Sequence, residues 1–256
     1  MSRLSPLNYK NKSINYIRKT NILEYDIRNG GYSVTVSDSL IEDEDTLEDL
    51  ILADRHEKHI ILGNYIKDNP EYIKILHNGF RKYTTLFCKT NNISMDDILT
   101  IAKDSVTFFS KKASKSFERI FNEVEFTERG LWSSYLSLGQ MELFCTDDAY
   151  KFKGISDKMI IEGTLLEEAL TLMRMNETLD KKSVSKYMTE IRQAYVNREL
   201  DDSYYRELSP LGGFHYNSFS LPTMGITSEF ALCEPEELDI TYNYNKIIIP
   251  LCQVFA

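Results

Sequence analysis

Apolar residues recur at three- and four-residue steps over Ile73, Leu76, Phe80, Tyr83 and Phe87, the spacing of one buried helical face. Pro70 stands where a first helical turn tolerates proline, and Asn91-Asn92 supplies the stop. Two further helical stretches precede it, one opened by the acidic run Glu42 to Asp49 and carrying Leu47, Leu50 and Ile51, the other over Glu57 to Lys67. Helical spacing resumes at Leu165 to Met175 and at Ser183 to Leu200, the latter with Val184, Tyr187, Met188, Ile191 and Tyr195 on one face.

Between these lie β-prone pieces. Asn21-Ile-Leu-Glu-Tyr-Asp-Ile27 reads as a strand, followed by a turn at Gly30-Gly31 before Tyr32-Ser-Val-Thr-Val36. Ile98 to Ile101 and Val106 to Phe109 flank the polar turn Lys103-Asp104-Ser105. From Arg119 to Ile155 four β-rich runs alternate with turn signals and predict a small antiparallel meander. The expected fold is α+β, an antiparallel sheet with helices packed on one face. Residues 1–20 form an N-terminal arm, 21–160 the core, and 161–256 a helical and C-terminal extension. Within the last, the apolar Ile247 to Leu251 should dock and not dangle.

Composition narrows the classes. Hydrophobic residues make up 42% and charged residues 27%, the balance of a globular chain. No apolar run approaches the roughly 18 residues of a membrane span, and the first 20 residues hold no apolar leader, so the expectation is a cytoplasmic protein with no membrane partner. The four cysteines form no CxxC pair, which leaves neither a zinc ribbon nor a redox motif. With 39 acidic against 30 basic side chains the net charge is −9, unsuited to coating nucleic acid with the whole surface but compatible with a local basic groove. The abundance of Lys, Asn, Ile and Tyr in a small chain fits an AT-rich genome and a phage or mobile-element origin.

Two aspartates carry the chemistry. Asp26 lies in one β-prone segment and Asp104 follows another, with a helix-rich insertion between them. Carboxylates brought together at neighbouring strand ends offer hard oxygen ligands suited to Mg2+ or Mn2+, and such a pair can activate a hydroxyl and stabilise leaving pyrophosphate. The same residues also fit plain turn positions, Asp26 ahead of Gly30-Gly31 and Asp104 inside a hairpin.

The order of these segments resembles the palm region of family B DNA polymerases over Ile22 to Ile155. Leu23-Glu-Tyr-Asp26-Ile27 is similar to the strand bearing that family's first catalytic aspartate, and the helix Ile73 to Asn92 to its long palm helix. Asp104-Ser105 matches the last two residues of its Asp-Thr-Asp-Ser hairpin, with Ala102 in place of the first aspartate. The resemblance implies Asp26 and Asp104 as catalytic metal ligands and Tyr32 beneath the incoming sugar. Ser105, Arg81 and Lys153 become nucleotide or nucleic-acid contacts, Lys153-Gly154 being similar to a primer-contacting element. Lys58, Lys67, Lys74 and Arg81 are candidate triphosphate cations, although the family's Lys-x-x-x-Asn-x-x-Tyr-Gly run is absent.

The function implied is a palm-type, metal-dependent nucleotidyltransferase or polymerase-like protein acting on nucleic acid and nucleotide. The alternative is a noncatalytic palm-like protein that binds nucleic acid, or a basic surface on a protein of the replication or transcription machinery. His56 and His59 share a helical face without further ligands nearby in sequence, and Gly212-Gly213 belongs to no phosphate-binding fingerprint. Arg198 to Arg206 combines charge with Tyr204 and Tyr205, which fits either a solvated helix end or a base-stacking contact.

Overall fold

The computed structural model of the chain describes residues 4–112, 116–139, 141–154, 164–205 and 243–256. Ile155, Arg206, Gly212, Gly213, His215, Cys233 and Tyr242 lie outside the described residues. The fold is α+β, with two compact units. One comprises Met1–Ile14 and Thr20–Trp132; the other comprises Asn15–Lys19 and Ser133–Ala256.

In the first unit, strands β1 (Asn8–Lys10), β3 (Asn21–Ile27), β4 (Ile98–Ala102), β5 (Ser105–Ser110), β6 (Ile120–Phe121) and β7 (Val124–Trp132) form a sheet of order β1-β4-β5-β3-β7-β6. Every pairing is antiparallel. Four helices fall between β3 and β4: α1 (Gly30–Ser37), α2 (Glu44–Leu52), α3 (Arg55–Asp68) and α4 (Tyr72–Thr90). Since β5 pairs antiparallel with both β3 and β4, those two strands run parallel with β5 inserted between them, a split βαβ crossover.

The lead-in expected to be an irregular arm contributes β1 to this sheet, and Asn11 is buried, its side chain donating to the Ile98 carbonyl oxygen at 3.2 Å. Three-residue strands are too short for any periodicity to register. Helix α1 also departs from local preference. Its β-branched Val34, Thr35 and Val36 carry no helical signal, yet Val34 is fully buried in the same core cluster as α4. Packing overrides propensity there.

Strand β3 is buried almost throughout. Leu23, Tyr25 and Ile27 join α4 residues Leu76, Phe80, Tyr83 and Phe87 in one core, whereas Ile73, expected on that face, is 41% exposed. Alternation along a strand then directs Glu24 and Asp26 to the other face.

The second unit holds a sheet of order β10-β9-β8-β2, with β2 (Tyr16–Ile17), β8 (Ser134–Leu138), β9 (Met141–Cys145) and β10 (Tyr150–Lys153). The meander expected over 119–155 is realised by β8, β9 and β10, while β7 pairs with β3 in the first unit. Helices α5 (Thr164–Thr178), α6 (Lys181–Val196) and α7 (Ile249–Phe255) pack their apolar residues, Leu165, Leu172, Met188 and Leu251 among them, into a core with Leu136 and Leu143. Ile247, Ile248 and Leu251 are fully buried, so this segment docks as its apolar run requires.

Two glycines offer a paired test of the packing. A Cβ on Gly79 of α4 would stand 2.3 Å from the Val34 side chain, whereas one on Gly63 of α3 meets nothing within 4 Å. Gly63→Ala should stabilise the chain by about 0.5–1 kcal/mol through helix propensity alone. Gly79→Ala should destabilise it by about 1–3 kcal/mol by overpacking. Urea unfolding midpoints measure both, and adding Val34→Ala should recover part of the Gly79→Ala loss.

Candidate functional site

The site is built at the end of β3, where the hairpin β4–β5 reaches it from one side and β7 from the other. Asp26 lies opposite Ser105 on β5 and Thr127 on β7. Lys103, at φ 56, makes the tight hairpin turn. Asp104 follows it, and its carbonyl oxygen accepts from the Ile27 backbone N–H at 3.0 Å. The two aspartates that are 78 positions apart by number are thus neighbours across one strand pairing.

Helix α1 closes the floor. Asn29 adopts a left-handed conformation at φ 50, and Gly30 begins the helix so close to Asp104 that an added Cβ would lie 2.5 Å from its Oδ2. A side chain there would have to displace the Asp104 carboxylate. The Asp104 side chain thus packs against Gly30 in the first turn of α1.

Asp26 is electrostatically strained. Its carboxyl is pushed up from 3.8 to about 6, first by burial and then by the nearby Asp104 charge, and the Arg129 guanidinium only partly offsets these. Arg129 Nε donates to Asp26 Oδ2 at 3.2 Å, while Oδ1 is buried with no hydrogen-bond partner among the described residues. Buried carboxylate oxygens are seldom left in that state.

Arg129 reaches Asp26 because β7 bulges. Glu24 pairs with Gly130 and Tyr25 with Glu128, so Arg129 is the extra residue, and a bulge of this kind re-aims a side chain. The Trp132 ring occupies the space beside Gly130, 2.5 Å from where a Cβ would sit.

A pocket of about 230 Å3 opens over these groups, lined by Asp26, Asp104, Arg129, Gly30, Gly31 and Tyr32, and by Arg55, Lys58 and His59 of α3. The last three share a helical face at three- and four-residue spacing. A capping box fixes the start of that helix: Asp54 Oδ1 accepts from the Glu57 backbone at 2.9 Å, and Glu57 Oε2 from the Asp54 backbone at 2.9 Å. Lys58 Nζ sits 4.0 Å above the Tyr32 ring, a cation–π contact that holds both at the pocket wall.

Of the residues singled out by sequence, Asp26, Asp104 and Tyr32 line this pocket, and Ser105 adjoins it as the partner of Asp26. Lys58 is the one of the four candidate cations found there. Arg81 is elsewhere. Its Nε donates to the Ser5 carbonyl oxygen at 2.9 Å, and it borders a different cavity with Thr85 and Cys88. Lys74 pairs with Glu71 at 2.8 Å. Lys153 belongs to the second unit, its Nζ 5.1 Å from the Phe144 ring centroid. Sequence reasoning missed Arg55, Arg129 and the steric role of Gly30. The Asp54 cap ahead of Arg55 is a usable signal, but nothing local marks a bulge at Arg129.

Among the described residues no group of three or more His, Cys, Asp or Glu is placed to hold a metal. The donor set here is two carboxylates. Such a set could hold Mg2+, which keeps several waters and takes one or two carboxylates together with substrate phosphates, with Oδ1 of Asp26 free of protein hydrogen bonds among the described residues.

The family model for the bacteriophage PBS1 gene 130 protein matches residues 4–217, and the chain belongs to that family. It is therefore a phage-encoded type of protein. A comparison with curated proteins found no match. No helix among the described residues is long and apolar enough to cross a membrane.

The raised Asp26 value fixes a pH dependence. A carboxyl whose folded pKa exceeds its unfolded one contributes stability that is fully present below the unfolded value, and that is lost as pH rises through the folded value. In chelator-containing buffer, stability should fall as pH rises from 3.8 through about 6, by about 1–3 kcal/mol once solvent screening is allowed for. Asp26→Asn should flatten that slope and be more stable than wild type at pH 8, with the difference vanishing toward pH 4. Thermal denaturation across pH reads it. Gly30→Ala, by displacing Asp104, should bring the Asp26 titration back toward the ordinary range, as followed by carboxyl 13C NMR.

Proposed function

We propose that this phage-family chain is a palm-type, divalent-metal-dependent nucleotidyltransferase acting on nucleic acid in the cytoplasm of the host. The observation that carries the reading is the juxtaposition of Asp26 and Asp104 across the β3–β5 pairing, with a buried, unpartnered carboxylate oxygen. The order strand, helical insertion, long helix, hairpin resembles that of the polymerase palm and supports the same reading by analogy alone.

The roles follow from chemistry. Asp26 and Asp104 would hold Mg2+ or Mn2+, which supplies charge neutralisation at the phosphorus and lowers the pKa of a bound hydroxyl. Asp26, kept in a partly desolvated place, is short of positive charge and favours any cation that enters. Lys58 and Arg55 on α3 lie on the pocket wall where a polyphosphate would meet cations. The Tyr32 ring, with Lys58 Nζ 4.0 Å over it, lines the same pocket, where it would meet a sugar or base. Pairing of β3 with both neighbours keeps the carboxylates in place, so little reorganisation is needed when substrate arrives.

Calorimetry with Mn2+ and a nucleoside triphosphate, followed by extension of a primed template, tests the reading. Wild type should bind and transfer. Asp26→Ala and Asp104→Ala should each lower turnover by about two to four orders of magnitude while leaving the fold intact, as expected for loss of several kcal/mol of metal-borne stabilisation. Nucleic-acid binding that survives both substitutions, with no transfer by wild type, would favour the noncatalytic binding protein instead.

A further inference from the structure

We propose that Arg129 is an exchangeable counter-ion: it holds Asp26 while no divalent cation is bound, yields the carboxylate to an entering cation, and turns its guanidinium to a phosphate of the substrate. This rests on the nucleotidyl-transfer reading and adds a substrate-binding residue to it.

Three features lead to it. First, the contact is of the weak, replaceable kind. A single Nε–Oδ2 approach of 3.2 Å joins the two groups, and the Arg129 side chain is 51% exposed. A single-contact pair whose guanidinium is half exposed holds more weakly than a bidentate one. Second, the pair leaves Asp26 half satisfied, with Oδ1 buried and unpartnered, so a divalent cation gains an oxygen that Arg129 does not use. Third, the placement is built into the sheet. Arg129 is the unpaired residue of the β7 bulge, and Gly130 beside it is held without a side chain by the Trp132 ring. A regular ladder has no such extra residue.

Once released, the guanidinium stays in the pocket that also holds Arg55 and Lys58. Its planar fork suits two phosphate oxygens, a geometry that the single contact to Asp26 does not exploit. Exchange also avoids stacking a cation and a guanidinium on one carboxylate, which like-charge repulsion opposes.

The full chain, as wild type, Arg129→Gln and Arg129→Lys, tests this by titration first with Mn2+ alone and then with inorganic tripolyphosphate at saturating Mg2+. Arg129→Gln should bind Mn2+ about threefold to tenfold tighter, because its competitor is gone, and tripolyphosphate weaker by a similar factor. Arg129→Lys should stay near wild type in both. Opposite signs are the signature, since damage to the fold would weaken both together. The Arg129 Hε resonance should move on adding Mg2+ and again on adding tripolyphosphate. Mn2+ binding by Arg129→Gln alone, with none by wild type, would overturn exchange, since Arg129 would then block the cation and not yield to it. If wild type binds Mn2+ and transfers nucleotides but the two affinities do not diverge, the exchange idea falls and the function stands. If no form binds Mn2+, both fall.

Discussion

The clamp of Phe87 on three strands is the constraint from which the rest follows. Its ring lies 4.5 Å from Phe126 of β7, 5.2 Å from Tyr25 of β3 and 6.1 Å from Phe108 of β5. One helical residue thereby ties three neighbouring strands, and each of the four aromatics is fully buried. Aromatic side chains supply large buried areas with defined geometry, so the register of the sheet is set from its core face. With Tyr25 fixed inward, strand alternation leaves Asp26 no choice but the opposite face, level with Ser105 and Thr127.

The site beyond that face runs against the stability of its surroundings. Two carboxylates share a partly desolvated corner, one of them raised toward neutral pH. Gly30 gives up a side chain to admit Asp104, the hairpin accepts a left-handed Lys103, and β7 gives up regular pairing to deliver Arg129. Strain of this sort gathers where a ligand is to relieve it. Positive charge placed between the two carboxylates would offset their repulsion. The second unit shows a different use of acidic groups: buried Glu142 accepts from the Tyr135 hydroxyl at 2.7 Å, and Glu168 accepts from both Tyr187 and Tyr204. There each carboxylate has its donors.

Long periodic segments were legible in the sequence. The α4 face from Leu76 to Phe87, the hairpin around Asp104, and the docked Ile247 to Leu251 follow from spacing and turn chemistry, because burial of one face imposes its period on the residues. Short or packing-driven elements were not. The strands at Asn8 and Tyr16 are too brief to carry a pattern, and α1 is helical against its β-branched residues because Val34 lies against Gly79. Ile73 continued the α4 spacing but stands at the first turn of the helix, 41% exposed.

For the site, the sequence by itself determined which carboxylates stand at strand ends and which cations flank them, since residue type and β-pattern are local properties. Only the tertiary structure decided which of them meet. Lys58 enters the pocket while Arg81 turns to the lead-in at Ser5, although both sit on helices of the same insertion. Arg129 reaches Asp26 through a one-residue irregularity in a strand pairing, and Gly30 is needed because a carboxylate 74 positions away lies against it. Contacts between distant segments depend on register and approach, and neither is written in the residues on one side alone.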